Sequence, residues 1–266
     1  MAYPVWAEVD LGALAHNLQE VRRLVGRTQI MAVVKANAYG HGIVPVARAV
    51  VAERADWLGV ARGAEALELR REGVTAPILV LGYTHPDECA ALLSAGVCLT
   101  VYDRDLAQVL AGIAQREKKT LRVHLKVDTG MGRLGLDCDD SGVEAALAIA
   151  RLPRVEVDGL FTHFACADEP ELSTTLRQLE RFRDFVRELA KAGLEVRCKH
   201  AANSAALIRL PEAHLDLVRP GIMLYGLYPA AETCREANLK PVMSLKARVT
   251  QVRRVGAGFP VSYGWT

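Results

Sequence analysis

Lys35 is the residue in this sequence that most directly suggests covalent chemistry. It ends the apolar run IMAVVK (30–35) and is followed by ANAYGHG. An amine at the end of a buried strand is poorly solvated, which favours its neutral form and allows it to form a Schiff base with an aldehyde. Gly40 and Gly42 permit close backbone approach, and the Tyr39 hydroxyl suits a phosphate. A lysine that merely emerges from the core into solvent would look the same in isolation.

Two later segments could bind the phosphate of a cofactor. KHAANSAA places Asn203 and Ser204 at the start of a helix, where free N–H groups attract anions, although N-capping alone would also explain them. LVRPGIMLYG places Arg219, Gly221 and Ile222 at the end of another strand. In α/β barrels, phosphate often binds the loops after strands seven and eight. A Schiff-base lysine combined with such a phosphate site indicates pyridoxal 5'-phosphate, whose ring is an electron sink.

A glycine-rich loop, VDTGMGRLG, follows a predicted strand and contains the pattern G-x-G-x-x-G (Gly130, Gly132 and Gly135). This pattern is typical of dinucleotide sites, and acidic residues lie about 20 positions further on, as such a site requires. However, a dinucleotide loop usually opens the first βα unit, whereas this one follows about the fifth strand. We therefore favour a tight loop that presents Arg133 to a pocket over an NAD site.

Two further residues allow a functional and a structural interpretation. Alternation along LRVHLKVD places His124, Lys126 and Asp128 on one strand face. A buried Lys126 ammonium would be costly, so it must pair with an acid, reach a wet barrel mouth, or be carbamylated into an anion able to hold Arg133. His163, in GLFTHFACA, is either a satisfied core histidine or a pocket residue.

The elements that position these residues form a repeating pattern. Short β-branched runs alternate with helical Ala/Leu/Arg/Glu segments, and strands are predicted at 30–35, 57–61, 77–82, 97–102, 121–128, 157–164, 196–203 and 215–222. This pattern predicts an α/β fold, a (β/α)8 TIM barrel, with a doubly wound open sheet as the alternative. In a barrel, the polar residues at the strand ends would surround one pocket.

After residue 240 the pattern changes. SLKARVTQVRRV (244–255) alternates apolar and polar residues, which predicts an antiparallel hairpin. We expect a barrel domain at 1–235 and the beginning of a β-rich C-terminal domain at 236–266. Because an unpartnered terminal strand would be an exposed edge, we expect the sequence to be the N-terminal piece of a longer protein.

The composition restricts the class of partner. The 266 residues carry 33 Lys and Arg against 31 Asp and Glu, and a net charge of +2 gives no reason to expect nucleic acid or an anionic membrane. Six scattered cysteines without a Cys-x-x-Cys pair predict neither a disulfide framework nor a metal site. No signal peptide and no apolar run of the roughly 18 residues of a membrane span are evident. We expect a cytoplasmic protein.

Six segments together resemble the bacterial alanine racemases, in order and at the family's spacing: AVVKANAYGHG, HLKVDTGMGRLG, FTHFACAD, KHAANSAA, DLVRPGIMLYG and PVSYGWT. The resemblance extends to the N-terminal VWAEVDLGALAHNL and so covers the whole chain. It implies a pyridoxal-phosphate barrel followed by a C-terminal β domain, acting as a head-to-tail homodimer. The implied activity is interconversion of L- and D-alanine, which supplies D-alanine for cell-wall peptidoglycan.

The resemblance assigns two bases, one on each side of the cofactor plane. Lys35 resembles the lysine that carries the cofactor and serves as one base. Tyr263, in VSYGWT, resembles the base of the opposite face, which the family supplies to the partner subunit's pocket. Inversion at carbon requires this pair, because the proton removed from one face must be replaced from the other.

The resemblance also assigns cofactor and substrate contacts. The residues that resemble phosphate contacts, or lie beside them, are Tyr39, Asn203, Ser204, Gly221 and Ile222. Arg219 resembles the guanidinium that faces the pyridine nitrogen, and His163 the residue that links Arg219 to the catalytic tyrosine. Arg133 resembles the contact of the substrate carboxylate, and Lys126 a lysine that is often carbamylated.

The sequence departs from the family where it ends, at Thr266, shortly after the tyrosine base. We expect these residues to bind pyridoxal phosphate but to racemise weakly or not at all. Two alternatives are a non-catalytic pyridoxal-phosphate barrel of cofactor homeostasis and a racemase of another small amino acid such as serine. The VSYGWT segment and the glycine-rich loop argue against the first alternative.

Overall fold

A computed structural model describes residues 4–231, 233 and 236–265 of the chain. The strands are β1 (Val5–Val9), β2 (Gln29–Val33), β3 (Trp57–Val60), β4 (Ile78–Val80), β5 (Cys98–Val101), β6 (Leu121–Asp128), β7 (Leu136–Asp137), β8 (Val155–Phe161), β9 (Cys198–His200), β10 (Leu217–Val218) and β11 (Met243–Ala247). The helices are α1 (Leu11–Val25), α2 (Lys35–Tyr39), α3 (Ile43–Ala52), α4 (Gly63–Arg71), α5 (Pro86–Ser94), α6 (Arg104–Arg116), α7 (Asp140–Ala150), α8 (Ser173–Lys191) and α9 (Ser204–Arg209).

Eight parallel strands form the predicted barrel. β2, β3, β4, β5, β6, β8 and β9 pair in this order, and β10 pairs with the free edge of β2. β9 and β10 meet through two backbone hydrogen bonds, from Asp216 N–H to the Lys199 carbonyl and from Arg219 N–H to the Ala202 carbonyl, each 3.0 Å long. These bonds close the sheet, which confirms the TIM barrel and excludes the doubly wound alternative.

The helices cover the outside of the barrel with apolar faces. In α1, the Asp10 carboxylate accepts hydrogen bonds from the N–H groups of Gly12 and Ala13, which satisfies otherwise unpaired donors at the start of the helix. Leu14, Leu18 and Val21 recur at helical spacing and are fully or almost fully buried. The barrel strands are apolar on both faces because helices cover one face and the interior fills the other.

The predicted hairpin at 244–255 is wrong. β11 instead pairs antiparallel with β1 at the other end of the chain, with Val5 opposite Ala247 and Val9 opposite Met243. An alternating pattern indicates a strand but not its partner, and the sequence analysis did not predict β1.

The predicted domain boundary after residue 235 falls on a residue outside the described ranges, so the division stays a prediction. None of the described helices is long and apolar enough to cross a membrane.

The turn directly after β2 is left-handed. Four consecutive residues, 36–39, have φ between 53° and 54°, a conformation that costs L-residues about 1–2 kcal/mol each. Side chains around the turn offset this cost. The Glu65 carboxylate accepts the Ala36 N–H at 2.6 Å, and the Asn37 side chain accepts the Ile43 N–H at 2.8 Å. The strained turn thereby sets the direction from Lys35 to Tyr39.

The left-handed turn predicts opposite effects of one substitution at two exposed alanines. Ala36→Gly should raise the free energy of unfolding by roughly 0.5–1 kcal/mol, because glycine adopts positive φ without strain. Ala91→Gly, in the right-handed helix α5, should lower it by a similar amount. Urea denaturation of both variants measures the difference. Destabilisation by Ala36→Gly would contradict the strain.

Candidate active site

One cavity of about 390 Å³ opens at the carboxyl ends of the barrel strands. This volume lies within the range of small-ligand sites. The predicted site residues that line the cavity are Lys35, Tyr39, Lys126, Arg133, His163, Asn203, Ser204, Arg219, Gly221 and Ile222. They come from segments up to 187 positions apart, from Lys35 to Ile222 (222 − 35), and the barrel brings them to one rim because all its strands run in the same direction.

The cavity carries an excess of positive charge. Lys35, Lys126, Arg133 and Arg219 line it, and Asp168 is the carboxylate among the lining residues. Burial lowers the pKa of Lys35, and the neighbouring guanidinium of Arg133 lowers it further. Burial, again with the positive charge of Arg133, lowers the pKa of Lys126 to about 8. Both amines therefore lose their protons more readily than ordinary lysines, and the cavity favours anionic ligands.

Arg219 is buried, and within the described ranges of the chain it has no carboxylate partner. One Nη donates to His200 Nδ1 at 2.8 Å, and the other donates to the carbonyls of Thr162 and Ala201 at 2.7 and 2.9 Å. Every acceptor is neutral. Burial lowers the pKa of Arg219 to about 9, which still leaves the guanidinium charged at neutral pH.

His163 also contacts this guanidinium. Its Nδ1 lies 3.2 Å from the second Nη of Arg219, and because a guanidinium only donates, Nδ1 must be the acceptor. Burial, with the charge of Arg219, lowers the pKa of His163 to about 3. The ring is therefore neutral at physiological pH, and its proton is on Nε2.

A small polar cradle lies opposite Lys35. The Ser204 hydroxyl accepts hydrogen bonds from the N–H groups of Gly221 and Met223, at 2.9 and 3.4 Å. A Cβ at position 221 would lie 2.7 Å from the Tyr39 hydroxyl oxygen, so only glycine permits this approach. Asn203 caps α9 by accepting the Ala206 N–H at 3.0 Å. The Ser204 hydroxyl still has its own proton to donate, and with the Tyr39 hydroxyl it suits a phosphate.

The loop that carries Arg133 is organised by Asp128. The carboxylate accepts the N–H groups of Gly130 and Met131 at 2.8 Å each, and that of Arg133 at 3.0 Å. Burial alone would raise the pKa of Asp128, but these backbone donors lower it overall. The glycine-rich loop thus folds around its own aspartate and presents Arg133 to the cavity.

Sequence reasoning missed two residues next to Arg219. The Phe161 ring stacks on the His200 ring with centroids 4.8 Å apart and planes inclined by 5°. The Arg219 guanidinium lies 5.3 Å from the Phe161 centroid, and the Lys126 amine 5.6 Å, both within cation–π range. A phenylalanine or histidine within a strand looks like an ordinary core residue, so no sequence signal distinguished them.

Tyr263 is separate from this cavity. It lies in a short turn, Tyr263–Trp265, beyond β11 and is fully exposed in the single chain. Tyr263 is not among the described residues that line the cavity containing Lys35. The two predicted bases therefore do not meet within one chain.

Comparisons with known proteins agree with this architecture. Residues 9–229 match the family model "Alanine racemase, N-terminal domain". The chain is 51% identical to the alanine racemase of Carboxydothermus hydrogenoformans over 264 residues, which are 99% of this chain and 71% of that protein. It superimposes on the Clostridium difficile 630 alanine racemase in complex with cycloserine with a TM-score of 0.93 at 37% identity, covering 96% of this chain and 70% of that one. The Streptomyces lavendulae enzyme gives a TM-score of 0.90 at 39% identity, covering 99% and 70%.

The fold and these matches define the class: pyridoxal-phosphate-dependent amino-acid racemases built on a TIM barrel. Within that class, the chain belongs to the alanine racemase family. The family's reaction is the racemisation of alanine.

Proposed function

We propose that the cavity binds pyridoxal 5'-phosphate and that the protein interconverts L- and D-alanine in the cytoplasm, supplying D-alanine for peptidoglycan. The observation that supports this most directly is the arrangement of Lys35, the Ser204–Gly221 cradle and Arg219 around one cavity. An amine, a phosphate site and a cation facing the space between them are the contacts that this cofactor requires.

The residues present fit the cofactor. The absence of a side chain at Gly221 leaves room beside the Tyr39 hydroxyl, and Ser204 fixes the segment 221–223 by accepting two of its N–H groups. The surrounding cations would balance the charge of a phosphate. When bound, the cofactor supplies the electron sink that makes the α-proton of the amino acid acidic.

The chain's own residues would then bind the substrate and move one proton. Lys35 is suited to hold the cofactor and to act as one base, because its lowered pKa favours the neutral amine. Arg133 would hold the substrate carboxylate. Arg219 would place a permanent positive charge at the pyridine nitrogen.

Lys35 predicts a spectroscopic and a catalytic outcome. The protein incubated with pyridoxal phosphate should show the absorbance band of a lysine-bound cofactor at about 420 nm, which borohydride should remove. Lys35→Ala should lose the band and lower alanine racemisation by at least about 10³-fold. Lys118→Ala, which removes an exposed lysine, should retain both.

Three results would contradict parts of the proposal. A Lys35→Ala variant that keeps the absorbance band would show that Lys35 is not the lysine that carries the cofactor. Cofactor binding without racemisation of any amino acid would favour the cofactor-homeostasis alternative, unless racemisation returns when the remaining part of a full-length relative is added. Faster conversion of serine than of alanine would favour the other alternative.

The position of Tyr263 supports action on a second subunit. Its side chain is fully exposed and absent from its own chain's cavity, yet inversion needs a proton donor on the face opposite Lys35. We propose a homodimer in which Tyr263 enters the pocket of the partner subunit. His163, whose Nε2–H is free of Arg219, would be its hydrogen-bond partner there.

A mixing experiment tests this arrangement. Lys35→Ala and Tyr263→Phe should each be strongly impaired in racemisation. Coexpressed heterodimers should recover up to about half of the wild-type rate per dimer, because one of the two sites regains both bases. Coexpressed Lys35→Ala with Lys35→Arg is the control without recovery. If the mixed variants stay inactive although heterodimers form, Tyr263 does not act across subunits.

Lys126 is proposed to be carbamylated. Carbon dioxide adds to a neutral amine with loss of one proton, and a pKa of about 8 leaves a substantial neutral fraction near neutral pH. The resulting anion would replace one of several cations beside Arg133 and hold that guanidinium in place.

The carbamate is testable by ¹³C NMR with labelled bicarbonate. A carbamate signal should appear, should be absent from Lys126→Met, and should be weaker at pH 6 than at pH 8 because the amine is protonated below its pKa. Lys118→Met serves as the control. A signal that persists in Lys126→Met would assign the modification elsewhere.

A further inference from the structure

Two buried histidines connect Arg219 to the interior of the barrel. The first contact joins Arg219 Nη1 to His200 Nδ1 at 2.8 Å, and the second joins His200 Nε2 to His124 Nδ1, also at 2.8 Å. Both histidines are fully buried. His124 lies on β6, and among the cavity-lining residues it is linked to Arg219 through this chain of hydrogen bonds.

The direction of the hydrogen bonds follows from the guanidinium. Arg219 can only donate, so His200 Nδ1 must carry the lone pair, and the proton of neutral His200 must be on Nε2. That N–H donates to His124 Nδ1, which must then also be an acceptor. The proton of neutral His124 is therefore on its Nε2. No other arrangement of neutral rings satisfies both contacts.

The charge of the surroundings keeps the two rings neutral. Burial, together with the positive charge of Arg219, lowers the pKa of His200 well below its ordinary value. Burial, with the charges of Arg122 and Arg219, lowers the pKa of His124 to about 3. Trp57 and Phe161 supply aromatic neighbours and no carboxylate that would favour an imidazolium.

The last donor in the chain is left without a partner. His124 Nε2 is buried and makes no hydrogen bond within the described part of the chain. The Trp57 ring packs against the His124 ring, with centroids 5.3 Å apart and planes inclined by 58°. An unsatisfied buried donor is destabilising, so a leucine at this position would be the better core residue if His124 only filled space.

The backbone around His124 is shaped to admit its ring. The register between β6 and β8 shifts at Val123 and His124, and the residue opposite His124 is Gly159. A Cβ at position 159 would lie 2.5 Å from His124 Nδ1, the atom that accepts from His200. Any side chain at position 159 would therefore displace the accepting atom itself.

We propose that His124 is a positioning residue for Arg219: by accepting the His200 Nε2–H, it locks the His200 tautomer that accepts from the guanidinium. Arg219 and His124 favour this tautomer from the two sides of the ring. Without the His124 acceptor, the Nε2–H tautomer leaves a buried donor unpaired, so the Nδ1–H tautomer, which cannot accept from Arg219, becomes competitive. The guanidinium then loses the acceptor of one of its Nη groups. The consequence for the cofactor depends on the proposed function, whereas the tautomer of His200 does not.

The tautomers are measurable in the cofactor-free protein by long-range ¹H–¹⁵N NMR of imidazole-labelled histidine. We expect His200 and His124 both as the Nε2–H tautomer, without titration between pH 5.5 and 8, with peaks assigned by their loss in His200→Asn and His124→Asn. An Nδ1–H tautomer or a titrating imidazolium for wild-type His200 would overturn the proposal. The tautomers are measured in the wild-type protein. The substituted proteins are needed only to assign the peaks.

Matched variants separate hydrogen bonding from packing. His124→Asn retains an acceptor near the position of Nδ1 and should keep the Nε2–H tautomer of His200. His124→Leu has no acceptor and should lose it, even if the unfolding free energy is unchanged or higher. Gly159→Ala, which removes no polar group, should act like His124→Leu by displacing the ring. Equal His200 tautomers in the leucine and asparagine variants would show that His124 only fills space.

Cofactor binding provides the second readout. His124→Leu and Gly159→Ala should raise the Kd of pyridoxal phosphate about tenfold and shift the absorbance band of the bound cofactor, while His124→Asn stays within about threefold of the wild type. If wild-type protein shows the expected tautomers but binds no pyridoxal phosphate, the proposed function fails and the tautomer assignment stands. If wild-type protein binds the cofactor but His200 titrates, the tautomer assignment fails and the proposed cofactor binding stands.

Discussion

The positively charged guanidinium of Arg219 is buried, and none of the described carboxylates forms an ion pair with it. Only 4% of the residue's surface is exposed, and all of its acceptors are neutral: two backbone carbonyls and the ring nitrogens of His163 and His200. Burying such a charge is costly unless hydrogen bonds replace the lost hydration, and these four acceptors contribute that replacement. Burial, together with this charge, lowers the pKa of both histidines and keeps them neutral, and the charge favours an anion or an electron-rich ring in the cavity.

The groups around this charge are held by backbone geometry rather than by flexible side chains. A strained left-handed turn sets the position of Tyr39 relative to Lys35, and the Asp128 carboxylate folds the loop that presents Arg133. Gly221 allows the Tyr39 hydroxyl to approach the Ser204 cradle. All three devices start at carboxyl ends of barrel strands, so the barrel's rigidity is passed on to the site. Preorganisation of this kind suits a reaction in which a proton must return to a defined face.

A single chain places only one of the two proposed bases, Lys35, at its cavity. Lys35 points into the cavity, whereas Tyr263 is fully exposed on a segment beyond the β1–β11 sheet. The proposed exchange of Tyr263 between subunits would place the two bases on opposite sides of one ligand, with His163 available to accept or donate at the tyrosine hydroxyl. Inversion at the substrate carbon would then require dimerisation, because a monomer could remove a proton but not replace it from the opposite side.

The sequence by itself determined the barrel and most of its rim. Buried parallel strands are apolar on both faces, so each was recognisable locally, and polar residues at their carboxyl ends had to converge once the sheet closed. Tertiary structure alone decided the pairing of β1 with β11, because an alternating pattern does not name its partner. It also decided the left-handed turn and the His124–His200–Arg219 chain. The turn and the hydrogen-bonded chain depend on contacts between residues up to 76 positions apart (200 − 124), and in the sequence a histidine inside a strand looks like any other core residue.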